Sequence, residues 1–327
     1  MQYKSVKGFS GGSQLGILLA FLGLGFILAG LVQFFIGMML VPAGMPFSKM
    51  GDEMMKAIMK PENVVYARLS QVLGTFFLLF VPAFLYLLIC HGRNKFWLGF
   101  NSHINPWQIL IGFFLIFCAS IIAAPLADIS KNLLTHWPGL NEMAKKMEEG
   151  YSEQIVVLSN LKSWSEFLMA IIIMAFFPAL FEEIFFRGAL QNLLERWWKA
   201  PLMAVIVTSL LFSLIHMSVY LFLSRAILGF ILGRIYQHSK NLWVNIIAHF
   251  LNNVVAVIQL FWISRHNGKI EVDKLDPKFP LWGGLIAVGI TYGLFLLFNK
   301  VSAKNRILVG FEEQNLLEKN TPVNNIA

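Results

Sequence analysis

The chain has 327 residues, 57% of them hydrophobic and 13% charged, with thirty Phe and nine Trp, and a mean hydropathy of +0.65. A soluble domain carries about 25% charged residues, so this composition excludes a disordered chain, a nucleic-acid-binding arm and an ordinary soluble enzyme. What remains is an all-α, multi-pass transmembrane helical bundle, read as a single integral membrane domain over residues 1–327.

A bilayer core about 30 Å thick needs around 20 mostly apolar residues per spanning helix. The first such run is Leu15–Val41, longer than the 7–15 residues of a signal-peptide core, and it reads as a retained helix. Leu69–Cys90 follows, with Pro82 as a kink, and then Trp107–Ala124, ending at Pro125. Residues 126–162 are polar and read as an extramembrane loop with one or two surface helices. Apolar character returns over Ser165–Leu190, Leu202–Met217, Val219–Tyr236, Val244–Ile263 and Leu281–Phe298, and residues 301–327 form a polar, soluble tail. The expectation is therefore eight spanning helices with both termini on one side.

The formal charge is +8. Lys4, Lys7, Arg93, Lys95, Arg196, Lys199, Arg234, Lys240, Lys300, Lys304 and Arg306 fall in short connections or near span ends on the side of the N-terminus. By the positive-inside rule that side is cytoplasmic. Lys145, Lys146, Lys269 and Lys274 lie opposite, in longer mixed-charge loops that weigh less. No basic run suggests a nucleic-acid partner. Cys90 and Cys118 sit in or beside apolar runs and read as small buried residues.

Seven polar residues stand out inside apolar segments. IIIMAFFPALFEEIFFRGAL carries Glu182, Glu183 and Arg187; LMAVIVTSLLFSLIHMS ends near His216; NLWVNIIAHFLNNVVAVIQLF carries His249, Asn252 and Asn253. An ionised group at bilayer depth costs about 2.5–3.5 kcal/mol even on the lenient insertion scale. Glu183 and Arg187 are four apart, so they share a helix face and can pair. Glu182 is rotated about 100° away, toward Phe185 and Phe186, and is left as a carboxylate without that cation. His249 and Asn253 are also four apart and face one direction. These residues define a polar site in a helical bundle and leave catalysis, transport and helix gluing open. A transporter would more often show two repeated halves, whereas here the polar residues cluster in the second half.

Glu182-Glu183-x-x-x-Arg187, Phe212-x-x-x-His216 and His249-x-x-x-Asn253, in that order, resemble the motif set of the CAAX protease and bacteriocin-processing (CPBP, or Abi) family. Gly229, Gly233 and Trp243 also stand where the family tends to have such residues. The matching core is residues 165–263, about a third of the chain. The resemblance implies an eight-helix intramembrane endopeptidase acting on a membrane-bound, prenylated or otherwise membrane-held protein or peptide, in the bacterial plasma membrane. In it Glu182 would be the base that activates water with His216 as its partner. His249 and Asn253 would form the oxyanion hole, and Glu183 and Arg187 would support them. Phe181, Phe185 and Phe212 would line the cavity. The resemblance implies no metal cofactor. Zinc on the same residues stays as an alternative, because a His, His, Glu set meets the three-ligand need of a catalytic site, although the H-E-x-x-H spacing is missing. A non-catalytic immunity or scaffold protein on the same fold is a further alternative. The depth of His216 relative to Glu182 requires either that the fourth helix runs on through Gln191–Lys199 or that the fifth is tilted.

Overall fold

The computed structural model describes residues 3–159, 161–266 and 279–320, and these form a helical bundle. Lys269, Lys274 and the last seven residues of the polar tail lie outside the described residues. In chain order the helices are α1 (Gly11–Met38), α2 (Phe47–Ile58) and α3 (Pro61–Cys90). Next come α4 (Pro106–Leu134), α5 (Pro138–Leu158) and α6 (Trp164–Trp198). The last four are α7 (Pro201–Leu214), α8 (Phe222–Ser239), α9 (Leu242–His266) and α10 (Leu281–Asn320).

Six of these, α1, α3, α4, α6, α9 and α10, are long and apolar enough to cross a membrane, two fewer than the eight expected. The reason lies in the segments expected at Leu202–Met217 and Val219–Tyr236. The first folds as only 14 residues of helix, α7, about 21 Å at 1.5 Å per residue. The second becomes the 18-residue α8, which carries Arg225 and Arg234. α7 and α8 pack on each other and on the long helices.

Two prolines do not end the helices that contain them. Pro125 was expected to close the third span, but α4 continues to Leu134. A proline gives no N–H to the carbonyl four residues back. Here Gly284 of α10 packs against the break: a Cβ at that glycine would lie 3.2 Å from Pro125 Cγ and 3.9 Å from the Ile121 carbonyl oxygen. In α3 a π-helical stretch, Phe76–Phe80, precedes Pro82, and Val81 N–H donates to Phe76 O, five residues back. Pro82, next in that register, has no N–H for Phe77 O. Gly25 of α1 lies on this spot, where an added Cβ would be 2.9 Å from Pro82 Cγ and nearer still to the Phe77 oxygen.

One end of the bundle gathers the N-terminus and much of the basic charge. Lys7 Nζ donates to Leu88 O, Gly11 abuts Trp197, and Leu242 N–H donates to Gly99 O. Arg196, Lys240 and Arg306 line a cavity of about 390 Å³ at this end. Residues 301–320 of the polar tail continue α10, whose 40 residues extend about 60 Å, twice the bilayer core. Beyond Asn299 it is tied back by Gln108–Ser302 at 3.0 Å, His103–Glu312 at 3.1 Å and Arg196–Glu313 at 3.3 Å. At the far end α5 packs on the bundle, with Arg68 donating to Leu158 O, while residues 126–134, read from the sequence as part of the polar loop, continue α4. Both cysteines are free and buried.

The largest core cluster centres on Phe181, Phe185, Phe186 and Leu193 of α6, against Tyr86, Trp97 and Tyr236. It wraps the helix that carries the glutamates. The Gly25 contact tests the packing of α1 on α3. Overpacking a tight contact costs about 1–3 kcal/mol, so Gly25→Ala is expected to lower the melting temperature in detergent. Gly30→Ala, at a glycine of the same helix with open space around it, is expected to leave it unchanged. Thermal scanning fluorimetry of both variants is the measurement.

Candidate active site

α6 begins at a capping box, in which Ser163 and Glu166 satisfy each other's backbone N–H groups. It then runs without a break through Trp198, where Lys199 takes a left-handed conformation. Of the two ways to bring His216 level with Glu182, the long fourth helix is thus the one observed. Two π-helical stretches, Ile171–Phe176 and Ile184–Gln191, flank the short α-helical turns that carry Glu182 and Glu183. π segments inside α-helices occur frequently at functional sites.

Glu183 is fully buried. Its Oε1 accepts from Arg187 Nη1 at 2.8 Å and from His249 Nδ1 at 2.9 Å, and its Oε2 accepts from Asn245 Nδ2 at 3.2 Å. The Arg187 guanidinium, 1% exposed, also donates to Gly229 O at 2.9 Å and lies 4.8 Å from the Phe212 ring centroid. Asn245 donates in turn to Leu232 O at 2.7 Å. One carboxylate therefore links α6 to α9, and through Arg187 to α8. The pair expected from the four-residue spacing is present, and it has two further partners.

Glu182 has different neighbours. His216 Nε2 lies 3.9 Å from its Oε1 and His249 Nε2 lies 3.9 Å from its Oε2. These distances exceed a direct hydrogen bond, and they suit an intervening water about 2.8 Å from each partner. The partners on the other ring nitrogens assign the protons. His216 Nδ1 faces the Phe212 carbonyl at 2.7 Å, which can only accept, so Nδ1 carries hydrogen and Nε2 is free to act as a base. His249 Nδ1 faces the Glu183 carboxylate, so it too carries hydrogen. Phe212 separates the two histidines, 4.8 Å from the His216 ring and 6.3 Å from the His249 ring.

The structure thus brings Glu182, His216 and His249 together, with Glu183 and Arg187 directly behind His249. Asn253 lies one turn along α9 from His249 and is half-buried; among the described residues it makes no hydrogen bond to this group. Asn252 turns to α4, where it accepts from Ser120 Oγ at 3.2 Å. Asn245 was missed from the sequence, although it sits four residues before His249 on the same stripe as Asn253. Gly229 serves through its carbonyl and through closeness: a Cβ there would come within 3.1 Å of the Phe212 ring.

A catalytic zinc would need three ligand atoms, each about 2.0–2.2 Å from the ion. Among the described residues no group of three or more His, Cys, Asp or Glu side chains is placed to hold a metal ion. His249 Nδ1 is occupied by Glu183, and both Nε2 atoms stand 3.9 Å from Glu182.

Residues 164–255, which include all six candidate residues, match the type II CAAX prenyl endopeptidase Rce1-like family. This match supports the resemblance to the CAAX protease and bacteriocin-processing family. The chain is also 31% identical over 116 residues to the uncharacterized protein YpbD of Bacillus subtilis (strain 168). That alignment covers 34% of this chain and 57% of YpbD, so it spans little more than half of the relative. No solved structure matches the chain.

Removing one partner of a buried ion pair costs about 3–5 kcal/mol, because the remaining charge is uncompensated. Arg187→Met is therefore expected to lower the melting temperature in detergent by many degrees. The double variant Glu183→Gln/Arg187→Met is expected to be less impaired than Arg187→Met alone. Equal melting temperatures for Arg187→Met and wild type would refute the role given to this pair.

Proposed function

We propose that this multi-pass membrane protein is an intramembrane endopeptidase that hydrolyses a membrane-held protein or peptide by a glutamate mechanism without metal. The reading rests above all on the position of the Glu182 carboxylate between two imidazole Nε2 atoms at 3.9 Å. A water held between Glu182 Oε1 and His216 Nε2 can donate a hydrogen bond to each. Its lone pair is then directed at a substrate carbonyl.

In the first step Glu182 takes a proton from that water as the oxygen bonds to the carbonyl carbon, giving a tetrahedral oxyanion. Stabilising that oxyanion requires donors already in place. His249 can donate from Nε2 when it carries both ring protons. Glu183 holds the Nδ1–H in place. Asn253, on the same stripe of α9, supplies an amide N–H₂ as the second donor. In the second step the carbon–nitrogen bond breaks, and the proton held by Glu182 passes to the leaving amine. The His216 Nδ1–H bond to Phe212 O keeps Nε2 as an acceptor throughout.

Phe181, Phe185 and Phe212 are each 4% exposed, and Phe212 lies against both histidines of the site. Apolar walls and membrane burial suit a substrate delivered from the lipid phase, a prenylated chain included. The family resemblance and the multi-pass bundle support a bacterial plasma membrane location.

Purified protein in liposomes, offered prenylated and unprenylated peptides with and without a chelator, tests the proposal. Wild type is expected to cleave with equal rate in both conditions, and Glu182→Gln to lose cleavage while still folding and inserting. Asn253→Ala is expected to lose about 10²–10³ in rate, the usual cost of one oxyanion donor. Cleavage by Glu182→Gln at the wild-type rate would overturn the assignment of the base. Loss of activity on chelation would turn the assignment to zinc.

A further inference from the structure

His216 is the one member of the Glu182 group that lies on a loop. α7 stops at Leu214, and the chain turns through residues 215–221 before α8 begins at Phe222. Met217 in this loop is left-handed, with φ +52°, a conformation that non-glycine residues adopt at a cost and that surrounding contacts must hold. Without such contacts the imidazole would wander relative to Glu182.

Those contacts come largely from α5. Ser218 Oγ donates to Glu148 Oε2 at 2.8 Å and accepts from Leu221 N at 3.2 Å. Tyr220 OH donates to Asn141 Oδ1 at 2.7 Å. Arg225, on the first turns of α8, donates to the carbonyl oxygen of His216 itself at 3.1 Å, while its guanidinium sits 4.9 Å from the Tyr151 ring centroid. Asn141, Glu148 and Tyr151 are spaced at seven and three residues, so they fall on one face of α5. A long surface helix, otherwise outside the chemistry, thus presents one polar face to the loop that carries a reacting imidazole.

The geometry points to α5 as a positioning element for His216, acting through Glu148 on Ser218 and through Tyr151 on Arg225, with Arg225 as the positioning residue that grips the His216 carbonyl. This inference rests on the protease reading above for its effect on rate. It rests only on the contacts just given for its effect on the loop. Displacing a reacting group by about 1 Å can cost 10²-fold in rate. Loosening the grip is therefore expected to lower kcat, with KM little changed because the loop is not asked to bind the bulk of the substrate.

The test uses the full-length protein in liposomes and four variants. Arg225→Ala and Tyr151→Leu remove the grip. Tyr151→Phe keeps the ring face, and Glu182→Gln reports on the chemistry. Hydrogen exchange at residues 215–221 is expected to quicken at least 10-fold in Arg225→Ala and Tyr151→Leu, and to stay at the wild-type rate in Tyr151→Phe. Cleavage should follow the same order, with kcat lowered about 10- to 100-fold in the first two and retained in Tyr151→Phe. Unchanged exchange at 215–221 in Arg225→Ala and Tyr151→Leu overturns the inference whatever cleavage does. So does a quickened loop with kcat intact, or a rise in KM alone. Failure of the protease reading is seen separately, as cleavage by Glu182→Gln at the wild-type rate.

Discussion

The buried Glu183 carboxylate is the constraint on which the site depends. Three donors from three side chains, Arg187, His249 and Asn245, converge on it with no solvent exposure. A carboxylate in an apolar interior is tolerated only when its charge and its lone pairs are all answered. Satisfying this one group fixes the orientation of α9 against α6. Through the Arg187 bond to Gly229 O it fixes α8 as well. Glu182 is the next residue in the chain, so its backbone is immobilised by its neighbour's bonds. In the mechanism proposed above, only its own side-chain torsions would remain to be set when substrate arrives. Much of the ordering needed to aim a reacting group is thus completed during folding.

The same pair of residues shows how one helix can give two carboxylates different lives. Glu183 sits in a closed network, while Glu182 faces two imidazoles at a distance that leaves space between them. The division comes from the 100° step between successive residues, and from what each face meets. One face meets Arg187, Asn245 and His249 Nδ1; the other meets the Nε2 atoms of His216 and His249. Phe212 also fixes the His216 tautomer through its carbonyl, so a residue of apolar type acts here through its backbone.

Features governed by local spacing could be read from the sequence. The Glu183–Arg187 pair, the long apolar first helix, the buried cysteines and the helices that carry the glutamates and His249 all follow from periodicity and hydropathy. What escaped depends on partners distant in the chain. Asn245 gains its meaning only from Glu183, 62 residues earlier. The continuation of α4 through Pro125 depends on Gly284 of a different helix. Composition marks the stretch after Asn299 as polar but not as a continuation of the preceding helix. It is held in the α10 rod by His103 and Arg196, which meet Glu312 and Glu313 across the fold. The count of spans fell from eight to six for a related reason. Hydropathy marks an apolar segment, but it does not mark where the chain must turn to put His216 on a loop.

The π-helical stretch Ile184–Gln191 has a consequence for the history of this helix. A π turn is what remains when one residue is added to an α-helix without moving either flank. The extra residue is absorbed locally, and the two flanks keep a rotational phase that an uninterrupted α-helix would not allow. On one flank stand Glu182 and Glu183. On the other are Asn192, which donates to Tyr236 OH, and Glu195, which pairs with Lys240. Winding these same residues into an uninterrupted α-helix would turn the flanks against each other by about 100°. Either the glutamates or the Tyr236–Lys240 contacts would then be lost. The helix thus carries a reading frame of its own, in which its two ends stay in phase only at their present separation.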